Sequence, residues 1–171
     1  LQGVGLFASL TALENVMQGA SARARNGPLS EALAMPWTDA QMRRARERAL
    51  SAMADLGVVD VADRLPSELP YPVQKKVALA RALAADPALL LLDEPAGGIG
   101  AADMAELGGL IRGWTASRTV LLVEHHMELV MSVCDLIWVL DAGRVIASGT
   151  PEQIRRDPAV LTAYLGEDGA P

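Results

Sequence analysis

Cysteine is nearly absent from this chain: Cys134 stands alone among 171 residues, so no internal disulfide can form. Its apolar neighbours Val133, Leu136 and Ile137 mark it as core filling. Lysine is almost as scarce, confined to Lys75 and Lys76, and aromatic residues make up 4%. No run approaches the ~18 apolar residues that a bilayer span requires, and no signal peptide is legible. Position 1 is Leu rather than Met, which reads as a chain that begins inside a longer protein. Positive charge is also short, with a net charge of −6 and a pI of about 4.9. A protein that wraps nucleic acid needs a basic surface to displace counterions, so nucleic acid is not an expected partner. The densest basic run, Arg43, Arg44, Arg46 and Arg48, reads as the solvated face of a helix.

What is present is ordinary globular material, 51% hydrophobic and 21% charged, rich in Ala and Leu. The length suffices for one domain with a real core, and the composition favours helices packed on a small sheet. No internal repeat or low-complexity tract appears. Residues 20–37, with Gly27, Pro28 and Pro36, read as a loop or short helix. Thr38 and Gln41 then form a capping box, and Met42, Ala45, Ala49, Met53 and Leu56 follow at helical spacing up to the stop at Gly57. A second helix is predicted from near Pro72, tolerated only in a first turn, to about Ala85.

Leu89 to Leu92 reads as a strand buried on both faces. A helix over Ala101–Trp114 leads to Thr119–Val123, again β-rich and buried. Strand, helix, strand predicts a right-handed crossover and a parallel sheet. A helix over Met127–Val133 leads to a strand at Leu136–Leu140, expected as a third parallel member of the same sheet. Asp141-Ala142-Gly143 turns the chain into Arg144–Ala147 as an antiparallel hairpin, and Thr150 caps a short helix with Pro151 at its first position.

The chemistry gathers at strand ends. Leu89–Leu92 is followed by Asp93-Glu94-Pro95, which throws two adjacent carboxylates out at the C-terminal end of a buried strand, where open α/β sheets bind ligands. The first carboxylate suits Mg²⁺ beside a nucleotide phosphate, and the second suits orienting or deprotonating the water that attacks a γ-phosphate. Alone, the pattern also describes a strand that ends in a polar turn. The next predicted strand ends in Glu124-His125, which narrows the reading.

In this order the residues resemble the ABC ATPases. Leu89–Glu94 resembles Walker B, and His125 the switch histidine that contacts the γ-phosphate. Leu1-Gln2, with Leu10-Thr11-Ala12-Leu13-Glu14-Asn15-Val16 after it, resembles the Q-loop and the segment that follows. Leu69-Pro70-Tyr71-Pro72-Val73-Gln74 resembles the signature motif, whose helix N-terminus takes the γ-phosphate of ATP held by an opposite subunit. The Leu-Pro-Tyr form, Glu-His-x-Met at the switch, Gly149-Thr150-Pro151-Glu152 and Tyr164-Leu165-Gly166-Glu167 are similar to the ATP-binding subunits of branched-chain amino-acid importers.

The resemblance implies a partial P-loop NTPase (ABC ATPase) fold: a parallel sheet flanked by helices, a helical subdomain and a C-terminal β-hairpin. It places the Q-loop and helical subdomain in residues 1–72, and the α/β core with its helical tail in 73–171. It implies catalysis by Glu94 and His125, nucleotide contacts at Gln2, Asp93, Tyr71, Pro72, Gln74 and Gly98, and Mg²⁺ at Gln2 and Asp93. His126, where the family has Asp, is expected to be exposed and without a catalytic role. ATP and Mg²⁺ are the implied cofactors. Integral-membrane permease subunits and a second ATP-binding subunit are the implied partners, on the cytoplasmic face of the inner membrane.

Three departures qualify the expected activity. No Gly-x-x-x-x-Gly-Lys-Ser/Thr loop is present, so Walker A and the adenine-stacking aromatic are expected before residue 1, and the chain alone is not expected to hydrolyse ATP. Pro70 and Pro72 replace the Ser and a Gly of the signature, and proline has no N–H to offer a phosphate. Gly98-Ile99-Gly100 stands where the D-loop ends in Asn or Asp. The alternatives are a non-catalytic fragment or pseudo-ATPase interaction module, or a subunit of a related urea, amide or lipopolysaccharide system.

Overall fold

The computed structural model describes residues 4–21 and 39–167. Gln2, Thr38 and most of the loop expected over 20–37 lie outside the described residues. The chain divides into two compact units, Leu1–Leu91 with Ser117–Leu121, and Leu92–Ala116 with Leu122–Pro171.

The first unit is built on three mutually packed helices, α1 (Ala12–Ser21), α2 (Asp39–Asp55) and α3 (Tyr71–Ala84). Alanine explains how they fit. Ala12, Ala20, Ala45, Ala49, Ala52, Ala80 and Ala84 are buried beside Val16, Met53, Leu56 and Val77, and small side chains let helix backbones approach closely. The closest approach is at Gly19, where a Cβ would run into the backbone carbonyl of Arg81. On α2 the arginines 43, 44, 46 and 48 are exposed, as expected. Met42, in the first turn, is 48% exposed, so the apolar stripe begins at Ala45. Gly57 ends the helix at φ +65, its N–H on the Ala54 carbonyl (3.0 Å) and the Val58 N–H on the Met53 carbonyl (2.9 Å). That is a left-handed cap with two of the helix's last carbonyls satisfied.

Asn15 is fully buried in α1 and organises the chain before it. Its Oδ1 accepts from the Phe7 N–H at 2.7 Å, and its Nδ2 donates to the carbonyls of Phe7, Leu10 and Thr11 at 2.9–3.1 Å. Arg81 of α3 donates to the Gly5 carbonyl at 2.8 Å and lies over the Phe7 ring.

β1 (Leu89–Asp93) and β2 (Thr119–Val123) pair, with α4 (Ala101–Thr115) between them in sequence. The Thr119 N–H bonds the Ala88 carbonyl and the Glu94 N–H the Val123 carbonyl, both at 2.9 Å, so the strands run parallel, as expected. Burial on both faces is corrected: Leu90 and Leu92 are buried, but Leu89, Leu91, Leu121 and Val123 are each about half exposed or more. Successive side chains alternate across a strand, and a run of leucines has no period from which to read that only one row is covered.

In the second unit, α4 packs on α5 (Met127–Val133). β3 (Ile137–Asp141), β4 (Arg144–Gly149), α6 (Pro151–Ile154) and α7 (Pro158–Glu167) follow. Val130, Ile137, Ala147, Ile154 and Val160 form a core, with Cys134 packed against it. The third parallel strand is corrected too: β3 pairs antiparallel with β4 in a separate two-stranded sheet. Ala142 and Gly143, at φ 43 and 77, make a tight hairpin from Asp141 to Arg144, and this local partner supplies the ladder that β3 needs. Thr150 caps α6 in a reciprocal box with Gln153. Among the described residues no helix is long and apolar enough to cross a membrane.

Candidate active site

Asp93 closes β1 and is exposed. Glu94 follows at φ 45, the left-handed region that side chains disfavour, while its N–H still bonds β2. A residue held there costs about 1–3 kcal/mol, which the surrounding structure must offset. The backbone thus breaks from strand geometry at the second carboxylate and turns away through Pro95 to Gly98, itself at φ 73.

β2 brings Glu124 and His125 beside it. His125 Nδ1 lies 3.7 Å from Glu94 Oε1 and 3.3 Å from Glu124 Oε2, with the His125 and Glu94 side chains about two-thirds exposed and the Glu124 side chain fully buried. Glu124 Oε1 accepts from the Ala96 N–H at 3.0 Å; Oε2 accepts from the N–H groups of His125 (2.8 Å) and His126 (3.3 Å), and lies 2.9 Å from His126 Nδ1. Burial works to raise the Glu124 carboxyl, but the His126 side chain and the three backbone N–H groups together hold it below the ordinary value. The His125 and His126 rings are 4.2 Å apart and tilted by 37°.

The other sequence-predicted residues belong to the first unit. Tyr71 opens α3, half exposed, with the Lys75 ammonium 5.5 Å from its ring centroid. Pro70 is the N-cap without a side-chain cap bond, and Pro72 sits in the first turn, so this helix start presents fewer N–H donors than most. Gln74 Nε2 donates to the Leu69 carbonyl at 2.9 Å, an internal use of its side chain. Gln2 lies outside the described residues.

One residue of the cluster was given no role from sequence, and the expected exposure of another is corrected. Glu124 stood in the switch motif without a role; its burial is tertiary. His126 was expected to be exposed, but its side chain is only 32% exposed and is joined to Glu124.

An open α/β arrangement with carboxylates and a histidine at the C-terminal ends of adjacent parallel strands is that of the ATP-binding cassettes, the P-loop NTPase fold. A solved structure of one, the ADP conformation of MJ1267, an ATP-binding cassette of an ABC transporter, superposes with a TM-score of 0.73 at 25% identity, over 93% of this chain and 64% of that one. The chain belongs to the ABC transporter family, whose profile matches residues 1–97; the profile of the branched-chain amino acid ATP-binding cassette transporters matches residues 144–170. The high-affinity branched-chain amino acid transport ATP-binding protein LivG of Escherichia coli K12 is 38% identical over 168 residues, 97% of this chain. BraF of Pseudomonas aeruginosa, of the same description, is 37% identical over the same length. The chain spans 66% of the length of these relatives.

Proposed function

We propose that this chain is part of the ATP-binding, energy-coupling subunit of an ABC transporter that imports branched-chain amino acids. The observation that carries the reading is the meeting of Glu94 and His125, 3.7 Å apart at the ends of two parallel strands. The similarity to LivG and BraF, together with the match at residues 144–170, supports the cargo. In this reading residues 1–72 bear the Q-loop and helical subdomain and 73–171 the hydrolytic core. The subunit works peripherally at the cytoplasmic face of the membrane, with permease subunits and a second ATP-binding subunit.

The donor set fits Mg²⁺-ATP. Asp93 offers exposed carboxylate oxygens, the hard ligands that Mg²⁺ takes, with Gln2 as the second expected ligand. Bound Mg²⁺ would neutralise phosphate charge. Glu94, exposed and turned out of the strand by its backbone, takes a proton from the attacking water in this reading. His125 Nδ1 faces two carboxylates, which leaves Nε2 to meet a phosphate oxygen. The start of α3, with Tyr71, Pro72 and Gln74, and the loop at Gly98 are the surfaces toward nucleotide and partner subunit.

The test is ATP-dependent uptake of radiolabelled leucine into vesicles holding the subunit with its permease. Removing a positioned general base costs about 10²–10⁴-fold, so Glu94→Gln should lower turnover by that factor while ATP still binds. Uptake that persists with Glu94→Gln refutes the role of Glu94, and vesicles without any leucine uptake refute the cargo.

A further inference from the structure

The loop after Glu94 leaves the strand ladder and folds into its own turns, with the Gly97 N–H on the Glu94 carbonyl at 3.1 Å and the Ile99 N–H on the Ala96 carbonyl at 3.3 Å. Gly97, Gly98 and Gly100 lie within it, and its strand-type bonding ends at the Glu94 N–H. Yet Ala96, two residues beyond Glu94, is fully buried. Its N–H is held by Glu124, whose Oε1 accepts it while Oε2 takes the N–H of His125. One carboxylate therefore spans the two loops that carry the reacting side chains. It is itself buried and supplied with donors on both oxygens, so it faces no substrate. His126 adds a side-chain donor to the same oxygen, which requires the proton on Nδ1.

We propose that Glu124 is a positioning residue of this site, locked by His126, and that it holds Glu94 and His125 in register by tying the end of β1 to the end of β2. This rests on the reading of Glu94 and His125 as the reacting groups. A carboxylate accepting several N–H bonds is a stiff anchor because each charge-assisted bond is about twice as strong as a neutral one. A buried ion here has no water to replace a lost donor. His126 is thus not a bystander but the side chain that completes the anchor.

The experiment uses the ¹⁵N-labelled chain and NMR, with no activity needed. In the wild type, Glu94→Gln should shift the His125 ring nitrogens, because the two side chains are held together. In a Glu124→Gln background the Ala96, His125 and His126 amide signals should all move, and the response of the His125 ring to Glu94→Gln should shrink several-fold, while amides of α2 stay in place. His126→Asn, which keeps an N–H at the same bond distance from the backbone as Nδ1, should retain the wild-type response; His126→Phe should lose it. An undiminished ring response in the Glu124→Gln background overturns the proposal.

In the transport-competent subunit, Glu124→Gln should lower kcat by about 10- to 100-fold, the cost of a misplacement near 1 Å, with KM for ATP unchanged. A lowered Tm with kcat per folded molecule intact would show a merely structural role and also overturn it. If the wild-type subunit turns over no ATP, the functional reading fails, and the ring and amide signals still decide the positioning.

Discussion

Gly19 and two exposed glycines of α4, Gly109 and Gly113, should respond in opposite directions to the same substitution. In a helix interior Gly→Ala ordinarily stabilises by about 0.5–1 kcal/mol, because Gly has more backbone freedom to lose on folding. Gly109 and Gly113 are exposed on α4, and a Cβ at either meets nothing within 4 Å. Gly109→Ala and Gly113→Ala should each gain roughly that amount. At Gly19 the added methyl group meets the backbone carbonyl of Arg81 on a packed helix, which cannot rotate aside as a side chain could. Overpacking of this kind costs about 1–3 kcal/mol, so after the propensity gain Gly19→Ala should be net destabilising by about 1–2 kcal/mol. Urea titration followed by circular dichroism would read this as a lower midpoint at an unchanged m-value, against a raised midpoint for the α4 variants. A Gly19→Ala midpoint equal to or above that of Gly109→Ala would refute the close approach of α1 and α3.

Asn15→Ala should lower stability by about 1–3 kcal/mol, since it strands the buried partners on Phe7, Leu10 and Thr11; an unchanged Tm would show that the turn does not depend on Asn15. Cys134 has its thiol pushed up by burial and then by the charge of Asp135. A raised thiol pKa means less thiolate at pH 8, so a thiol reagent should modify the native chain more slowly than the urea-unfolded one, with Asp135→Asn partly restoring the rate. Equal rates in the folded and unfolded chain would contradict that placement.

Helix ends were the most legible part of the sequence, because their signals are local. Gly57 and Thr150 stand where the chemistry of caps puts them. The placement of the carboxylates and His125 at strand ends was legible for a similar reason: Asp93-Glu94 and Glu124-His125 each close an apolar run, and a parallel crossover brings such ends together. What resisted reading was decided by distant packing. Nothing in Leu89–Leu92 distinguishes a strand covered on one face from one covered on two. The hairpin into Arg144 was read from Asp141-Ala142-Gly143, but nothing in Leu136–Leu140 tells that this strand does not also join β2. Glu124 was the hardest, since a carboxylate between a strand and two histidines looks solvated until the Ala96 N–H arrives from a loop 28 residues away.

The backbone at Glu94 sets stability and chemistry against each other at a single codon. At φ 45 a glycine or asparagine would relax the turn, but neither can accept a proton. A library varied at this position and sorted for heat resistance alone would therefore drift toward glycine and asparagine, while sorting for the proposed ATP turnover would restore glutamate. Thermostability-guided redesign of this chain should hold position 94 constant, because the substitution it most readily rewards there removes the carboxylate to which the proposed function assigns proton transfer.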